Sequence, residues 1–351
     1  MKALPTKALN RPSPGARLAI AAASGFLVLL ALCAGAAADH AKSRPVAEVL
    51  QAIVGVRAEV PADARTARVL GREREGSGVI IDSDGLILTI GYLILEASSV
   101  DIVNQGGETI PAAVVAYDHA TGFGLVRAAR PLGVKPLHLG DSSALAEGEG
   151  VLAVGFAGPR PLTPQQVVSR RDFAGYWEYL LENAIFTTPA HPFHSGAALL
   201  GADASLLGIG SLLVNHALPG EEPVRGNMFV PIEALEPILA DLVIHGRATA
   251  PSHPWLGVYT DEAEGRVFIT RLADDGPGEK AGLKSGDIIV GVDGRRVGNM
   301  ADFLRKVRAQ GNAGTDIPLD VVHLDAPGLD IERIDVRSID RHEWLKISSV
   351  R

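Results

Sequence analysis

Ser195 stands in a short turn, "PFHSG", directly ahead of the apolar run from Ala197 to Leu200. A hydroxyl displayed on such a turn is a candidate nucleophile, and it is weak unless a neighbouring base takes its proton during attack. His191 and His194 precede it closely, and His119 lies farther back in the chain. A rewired Ser–His pair is one reading, because such sites are defined by geometry and not by chain order. A histidine just ahead of the serine in a tight turn, however, projects away from the hydroxyl. The same three histidines suggest a second chemistry, a metal site, although no carboxylates accompany them. The one cysteine, Cys33, falls in the N-terminal segment, so the remainder carries no thiol, disulfide or Cys-ligated metal. The sequence calls for no cofactor.

These residues must be positioned by the elements around them. Aromatics make up 5% of the 351 residues, whereas Gly (39) and Pro (22) are plentiful, which favours short strands and turns. Lys2, Lys7, Arg11 and Arg17 precede the apolar run "LAIAAASGFLVLLALCAGAAA", and the small residues Ala36 to Ala38 fit signal-peptide cleavage near Ala38. An uncleaved anchor through residues 18–38, tethering the chain to a membrane, is the alternative. Either way the rest is exported. Without the first 38 residues, 29 Lys and Arg face 41 Asp and Glu, a net charge of −12 that argues against nucleic acid as a partner. "SGVIIDSDGLILTIGYLI" and "VDIVNQGGETIPAAVVAYD" each read as two strands, and "GLVRA", "GVLAVGFAG" and "SLLGIGSLLV" continue the pattern of an all-β barrel or sandwich. One helix is expected over "IEALEPILADLVIHG", with Leu235, Ile238, Leu239 and Leu242 on one face and Gly246 as its stop. After a linker, a second unit offers the strands "WLGVYT", "RVFITRL" and "DIIVGVDG". The helix "NMADFLRKVRAQG" follows, capped by Asn299, and then a closing hairpin.

Several of these phrases together resemble the HtrA/DegP family of exported serine proteases. "GSGVIIDSDGLILT", "LGDSSALAEGEGVLAVGFAG" and "RGNMFVPIEAL" match segments of its protease domain, and "HPWLGV" matches the junction with a PDZ domain. "DDGPGEKAGLKSGDIIVGVDGRRV" is close to the family's PDZ signature throughout. The resemblance implies a mainly β fold, two six-stranded chymotrypsin-type barrels followed by a small α+β PDZ domain. Its expected limits are a signal peptide or anchor over 1–38, the protease fold over 45–246, a linker over 247–254, the PDZ domain over 255–341 and a tail over 342–351.

Carried over by position, the family's catalytic histidine falls on Tyr92 ("TIGYLI"), its aspartate on Gly122 ("TGFGLV") and its serine on Ser195 ("FHSGAAL"). A phenol with an ordinary pKa near 10 is a poor proton acceptor at neutral pH, and a glycine orients no base. Phe193 with Pro192 ahead of it replaces the glycine that shapes the oxyanion hole. Ser195 is therefore expected to be a vestigial nucleophile. The PDZ resemblance implies recognition of polypeptide C-termini or unfolded segments as added strands, their carboxylates held by backbone amides. Leu256, Gly257 and Val258 would form the carboxylate loop, with Phe303, Leu304 and Val307 as its opposite wall or as the core behind it. The expected role is scaffold, adaptor or holdase, alone or beside an active HtrA-type protease. The alternatives are a weak endopeptidase using Ser195 with a substitute base, and a metal module built on His119, His191 and His194.

Overall fold

Short runs of β-branched and small residues, each ended by Gly, Asp or Pro, fold into two closed barrels and one open sheet. The computed structural model describes residues 45–156, 161–220, 222–324 and 330–346, all within one unit spanning Ser43–Arg351. The expected targeting segment, residues 18–38 and Cys33 lie outside the described residues.

The first barrel comprises β1 (Ile53–Glu59), β2 (Glu73–Ile80), β3 (Leu86–Ile90), β4 (Ser99–Val103), β5 (Thr109–Tyr117) and β6 (Phe123–Ala128), in the order β1-β2-β3-β6-β5-β4. Pairing of Gly55 with Val103 and of Val56 with Ile102 closes it. Every residue of β3 is buried, because both faces of that strand meet side chains. The second barrel comprises β7 (Gly150–Val154), β8 (Leu162–Gly175), β9 (Tyr179–Thr188), β10 (Ala198–Leu200), β11 (Leu206–Val214) and β12 (Gly226–Pro231), ordered β10-β11-β12-β9-β8-β7. Its β8–β9 hairpin is the longest of the barrel and projects toward the C-terminal sheet. Sequence patterning did not single this hairpin out. Polar residues such as Gln165, Arg170 and Asp172 interrupt its apolar alternation.

The single helix expected over residues 232–245 is interrupted. Ile232–Ala234 form one 3-10 turn, and a helix resumes only at Leu239–His245. Pro237 lies between them, and it has no N–H to donate back to the preceding turn. Gly246 ends the helix as expected, left-handed at φ +73°.

The C-terminal sheet is formed by β13 (Val258–Ala263), β14 (Arg266–Leu272), β15 (Ile288–Val292), β17 (Asp316–Val322) and β18 (Ile331–Arg337), with the short β16 (Arg295–Arg296) on β15. The helix Met300–Arg308 packs over it and buries Phe303, Leu304 and Val307, while the Asn299 side chain accepts a hydrogen bond from the Asp302 N–H as its cap. The last described residues also take on structure. The turn Arg341–Trp344 sets Trp344 against Trp255, with ring centroids 4.9 Å apart, and the Lys346 N–H reaches Glu96 of the first barrel at 2.8 Å.

Candidate functional site

Three turns from the two barrels meet around Tyr92, which touches Ser195 on one side while its turn is bonded to Gly122 on the other. Tyr92 sits in the 3-10 turn Gly91–Leu93 that follows β3, Gly122 in the β5–β6 turn, and Ser195 in the loop before β10. The Tyr92 phenol oxygen lies 2.8 Å from Ser195 Oγ and 2.8 Å from the Ser211 carbonyl oxygen. A carbonyl can only accept, and a phenol has one proton, so Tyr92 donates to Ser211. The Ser195 hydroxyl then donates to Tyr92. Burial pushes the Tyr92 phenol up to about 12, with the Ser195 hydrogen bond pulling slightly the other way. A neutral phenol takes no proton from an alcohol, and Tyr92 is the hydrogen-bond partner found for Ser195 Oγ among the described residues.

The turn bearing Tyr92 is anchored from below. Arg74, almost fully buried, donates to the carbonyls of Gly71, Tyr92 and Leu95 and to Thr66 Oγ1. Gly91 packs so closely that a Cβ there would come within 2.2 Å of the Tyr117 ring. Its N–H donates to the Gly122 carbonyl at 2.7 Å. Gly122 has φ +84°, and a Cβ on it would lie 3.2 Å from the Tyr179 hydroxyl, which itself donates to the Thr121 carbonyl at 2.5 Å. A phenol thus occupies the space beside Gly122. Trp177 stacks on Tyr179 at 5.4 Å, and both join Tyr92, Gly122, Ser211 and Tyr259 in lining a cavity of about 210 Å³.

Tyr92 also ties the barrels together, since its partners Ser195 and Ser211 belong to the second one. Tyr92→Phe leaves the Ser211 carbonyl and the Ser195 hydroxyl without that partner, and the expected cost is about 1–3 kcal/mol. Ser195→Ala keeps the Tyr92–Ser211 bond and is expected to cost less. Urea denaturation of the two variants gives the order.

The three histidines do not meet. His119 is half-buried with Nδ1 2.6 Å from Arg341 Nη1 and 3.2 Å from the Tyr117 hydroxyl; desolvation there and the Arg341 charge hold it well below the usual imidazole range. His191 is buried, its Nδ1 2.8 Å from Thr163 Oγ1, and its backbone is clasped by the Asn227 side chain. His194 turns Nδ1 toward the Pro192 carbonyl at 3.2 Å. None of the three is hydrogen-bonded to Ser195, and no group of three potential ligands gathers for a metal among the described residues. Packing directs His119 and His191 to other partners, so the three histidines considered from the sequence form no ligand group among the described residues. Phe193 is exposed at a turn without a positive φ, whereas Gly196 has φ +72°.

The second candidate site lies in the C-terminal unit. Leu256, Val258, Phe303 and Val307 are all buried in one apolar cluster, and Gly257 has φ +73° with Ala273 and Pro277 close by. The groove between β13 and the helix Met300–Arg308 is not open. The β8–β9 hairpin lies in it, with Leu180 inside the same cluster and the Glu178 carboxylate accepting the Leu256 and Val258 N–H groups at 2.8 Å each. Burial raises Glu178 to about 7, opposed by those amide bonds and the Arg341 charge.

Residues 76–209 match the trypsin-like peptidase domain family, and residues 268–321 match the PDZ domain family. The chain is an HtrA/DegP-family trypsin-like peptidase domain joined to a PDZ domain. The Serine protease Do-like HtrA of Bacillus subtilis (strain 168) is 28% identical over 253 residues, 63% of this chain and 55% of that protein. The Serine protease PepD of Mycobacterium tuberculosis is 27% identical over 284 residues, 73% of this chain and 60% of that protein. The chain thus spans little more than half the length of these HtrA-type relatives. Among solved structures, the HtrA-type protease AlgW with tripeptide superposes over 84% of this chain and 97% of its own, with a TM-score of 0.51 at 19% identity.

Sequence reasoning on this HtrA-type frame did not find Glu178, Tyr179 or Arg74. Glu178 and its amide partners belong to different domains, 78 and 80 residues apart, so no local spacing marks the contact.

Proposed function

We propose that this chain is an exported HtrA-like protein that recognises peptides or unfolded protein segments through its PDZ domain and does not cut them. The observation that carries this reading is the fate of two protons: Ser195 gives its hydrogen bond to Tyr92, and Tyr92 gives its own to the Ser211 carbonyl. Nothing in that chain accepts a proton at neutral pH, so the hydroxyl stays a weak nucleophile. The turn at Phe193 adds to this, since a preorganised oxyanion hole supplies much of what survives when a triad is lost. Peptide recognition is supported by the PDZ match and by the buried Leu256–Val258 loop, whose backbone amides suit a carboxylate. An extracytoplasmic location fits the N-terminal charge and apolar pattern and a relative named as a probable periplasmic serine protease. No helix among the described residues is long and apolar enough to cross a membrane.

Two measurements test the absence of cutting. Fluorescein-labelled casein incubated with the protein and with Ser195→Ala is expected to stay intact in both, and cleavage confined to the unsubstituted chain would refute the reading. A fluorophosphonate probe is expected to leave Ser195 unlabelled from pH 6 to pH 9. The sign follows from burial: it raises the phenol, so the basic phenolate forms only near pH 12 and no step arises in that window. A labelling step near pH 7 would point to a histidine acting as base.

A further inference from the structure

The β8–β9 hairpin meets the PDZ groove through three contacts that differ in kind. The Glu178 carboxylate accepts the Leu256 N–H on one oxygen and the Val258 N–H on the other. Two residues back, in the turn of the hairpin, the Tyr176 carbonyl accepts the Thr260 N–H at 2.9 Å, a backbone bond of the kind an added strand makes to β13. Two residues on, the Leu180 side chain is 3% exposed and packs in the cluster of Leu256, Phe303, Leu304 and Val307. The helix wall holds the hairpin as well, since Arg308 donates to the Leu180 carbonyl and Arg305 pairs with Asp172.

A bound chain end offers a PDZ groove a carboxylate, a strand-pairing carbonyl and an apolar terminal side chain. The hairpin supplies all three, the carboxylate from a side chain and not from a terminus. Glu178 adopts φ +59°, a left-handed conformation uncommon for a residue with a Cβ, and no ion pair within 4 Å compensates its burial among the described residues. The backbone amides of the Leu256–Val258 loop are what satisfy it.

We propose that the hairpin tip is an internal ligand of the PDZ domain. Glu178 and Leu180 take the places of a terminal carboxylate and a terminal aliphatic side chain, so an external peptide binds by displacing the hairpin. This rests on the peptide-recognition reading above and adds to it the occupant of the resting groove and the chemistry of its competitor: a chain ending in an aliphatic residue with a free carboxylate. Displacement also withdraws Trp177 and Tyr179, the aromatic wall beside Tyr92 and Gly122.

The test uses the whole purified protein, Glu178→Ala and Glu178→Gln. The glutamine variant keeps the side-chain volume if alanine disturbs folding. Hydrogen exchange at the Leu256 and Val258 amides reports occupancy directly. Titration with a fluorescein-labelled decapeptide ending Gly-Tyr-Trp-Leu with a free carboxylate, and with its amidated twin, reports competition. Exchange at both amides is expected to quicken at least tenfold in the variants, and the free-carboxylate peptide to bind them at least tenfold more tightly than the unsubstituted chain. Unchanged exchange, or equal peptide affinity for all three proteins, would overturn the internal ligand while leaving peptide recognition standing. Faster exchange with no peptide bound by any of them would uphold the internal ligand and sink the recognition reading.

Discussion

Gly196→Ala is expected to lower stability by at least 3 kcal/mol, on the order seen for severe backbone clashes and strain. Gly196 follows Ser195 directly, and its surroundings leave no room for a side chain. A Cβ on it would lie 1.9 Å from the Ser77 carbonyl oxygen and 2.7 Å from Thr89 Oγ1, and its φ is +72°. Both neighbours are fixed, because Thr89 Oγ1 donates to that same Ser77 carbonyl and the Ser77 N–H donates to the Ser195 carbonyl. The Gly196 N–H is committed too, to the Gly210 carbonyl at 2.8 Å. No side chain can yield to the extra methyl, so the β2–β3 strands of the first barrel must part from the Ser195 loop. Equilibrium urea denaturation measures the loss; a change within 1 kcal/mol, roughly the size of an ordinary surface substitution, would show the steric account to be wrong.

Arg74→Met is expected to cost about 3–5 kcal/mol, the usual range for breaking a buried charge arrangement by removing one member. Arg74 is 4% exposed, and burial lowers its pKa to about 10, opposed by the Glu96 charge. Methionine fills much of the volume but donates nothing, which strands the Tyr92 and Leu95 carbonyls and leaves Glu96 buried without the Arg74 charge. Glu96 accepts from the Arg65 and Thr66 amides, the Thr66 hydroxyl and the Lys346 amide, so the loss reaches the C-terminal turn. Thermal unfolding should show a lower midpoint, and hydrogen exchange should rise in both the Gly91–Leu93 turn and residues 341–346.

Most strands of the barrels and of the C-terminal sheet were legible because their signals are local, whereas closure into two barrels came from the resemblance and the β8–β9 hairpin from neither. The Asp82–Gly85 turn between β2 and β3, the apolar runs on either side of it and the Asn299 cap each act over a few residues. Pro237 was equally local, and an account of its missing N–H would have divided the expected helix in advance. The identity of the residues near Ser195 was legible from resemblance, but their bonding was not. Whether a tyrosine at position 92 faces a serine, a carbonyl or solvent depends on the closure of two barrels, which brings together residues 103 positions apart in sequence. The hairpin–groove contact is further still from being readable. Tyr176, Trp177 and Glu178 form an unremarkable aromatic and acidic tip, and only the tertiary fold brings it to the amides beyond Trp255.

A plug carried on the same chain as its socket cannot be diluted. Tethering holds such a competitor at an effective level on the order of millimolar, however scarce the protein is. Isolated chain ends at micromolar abundance would rarely win against it. Ends crowded together on a damaged or aggregated surface could, which would make the groove a detector of density more than of any single sequence.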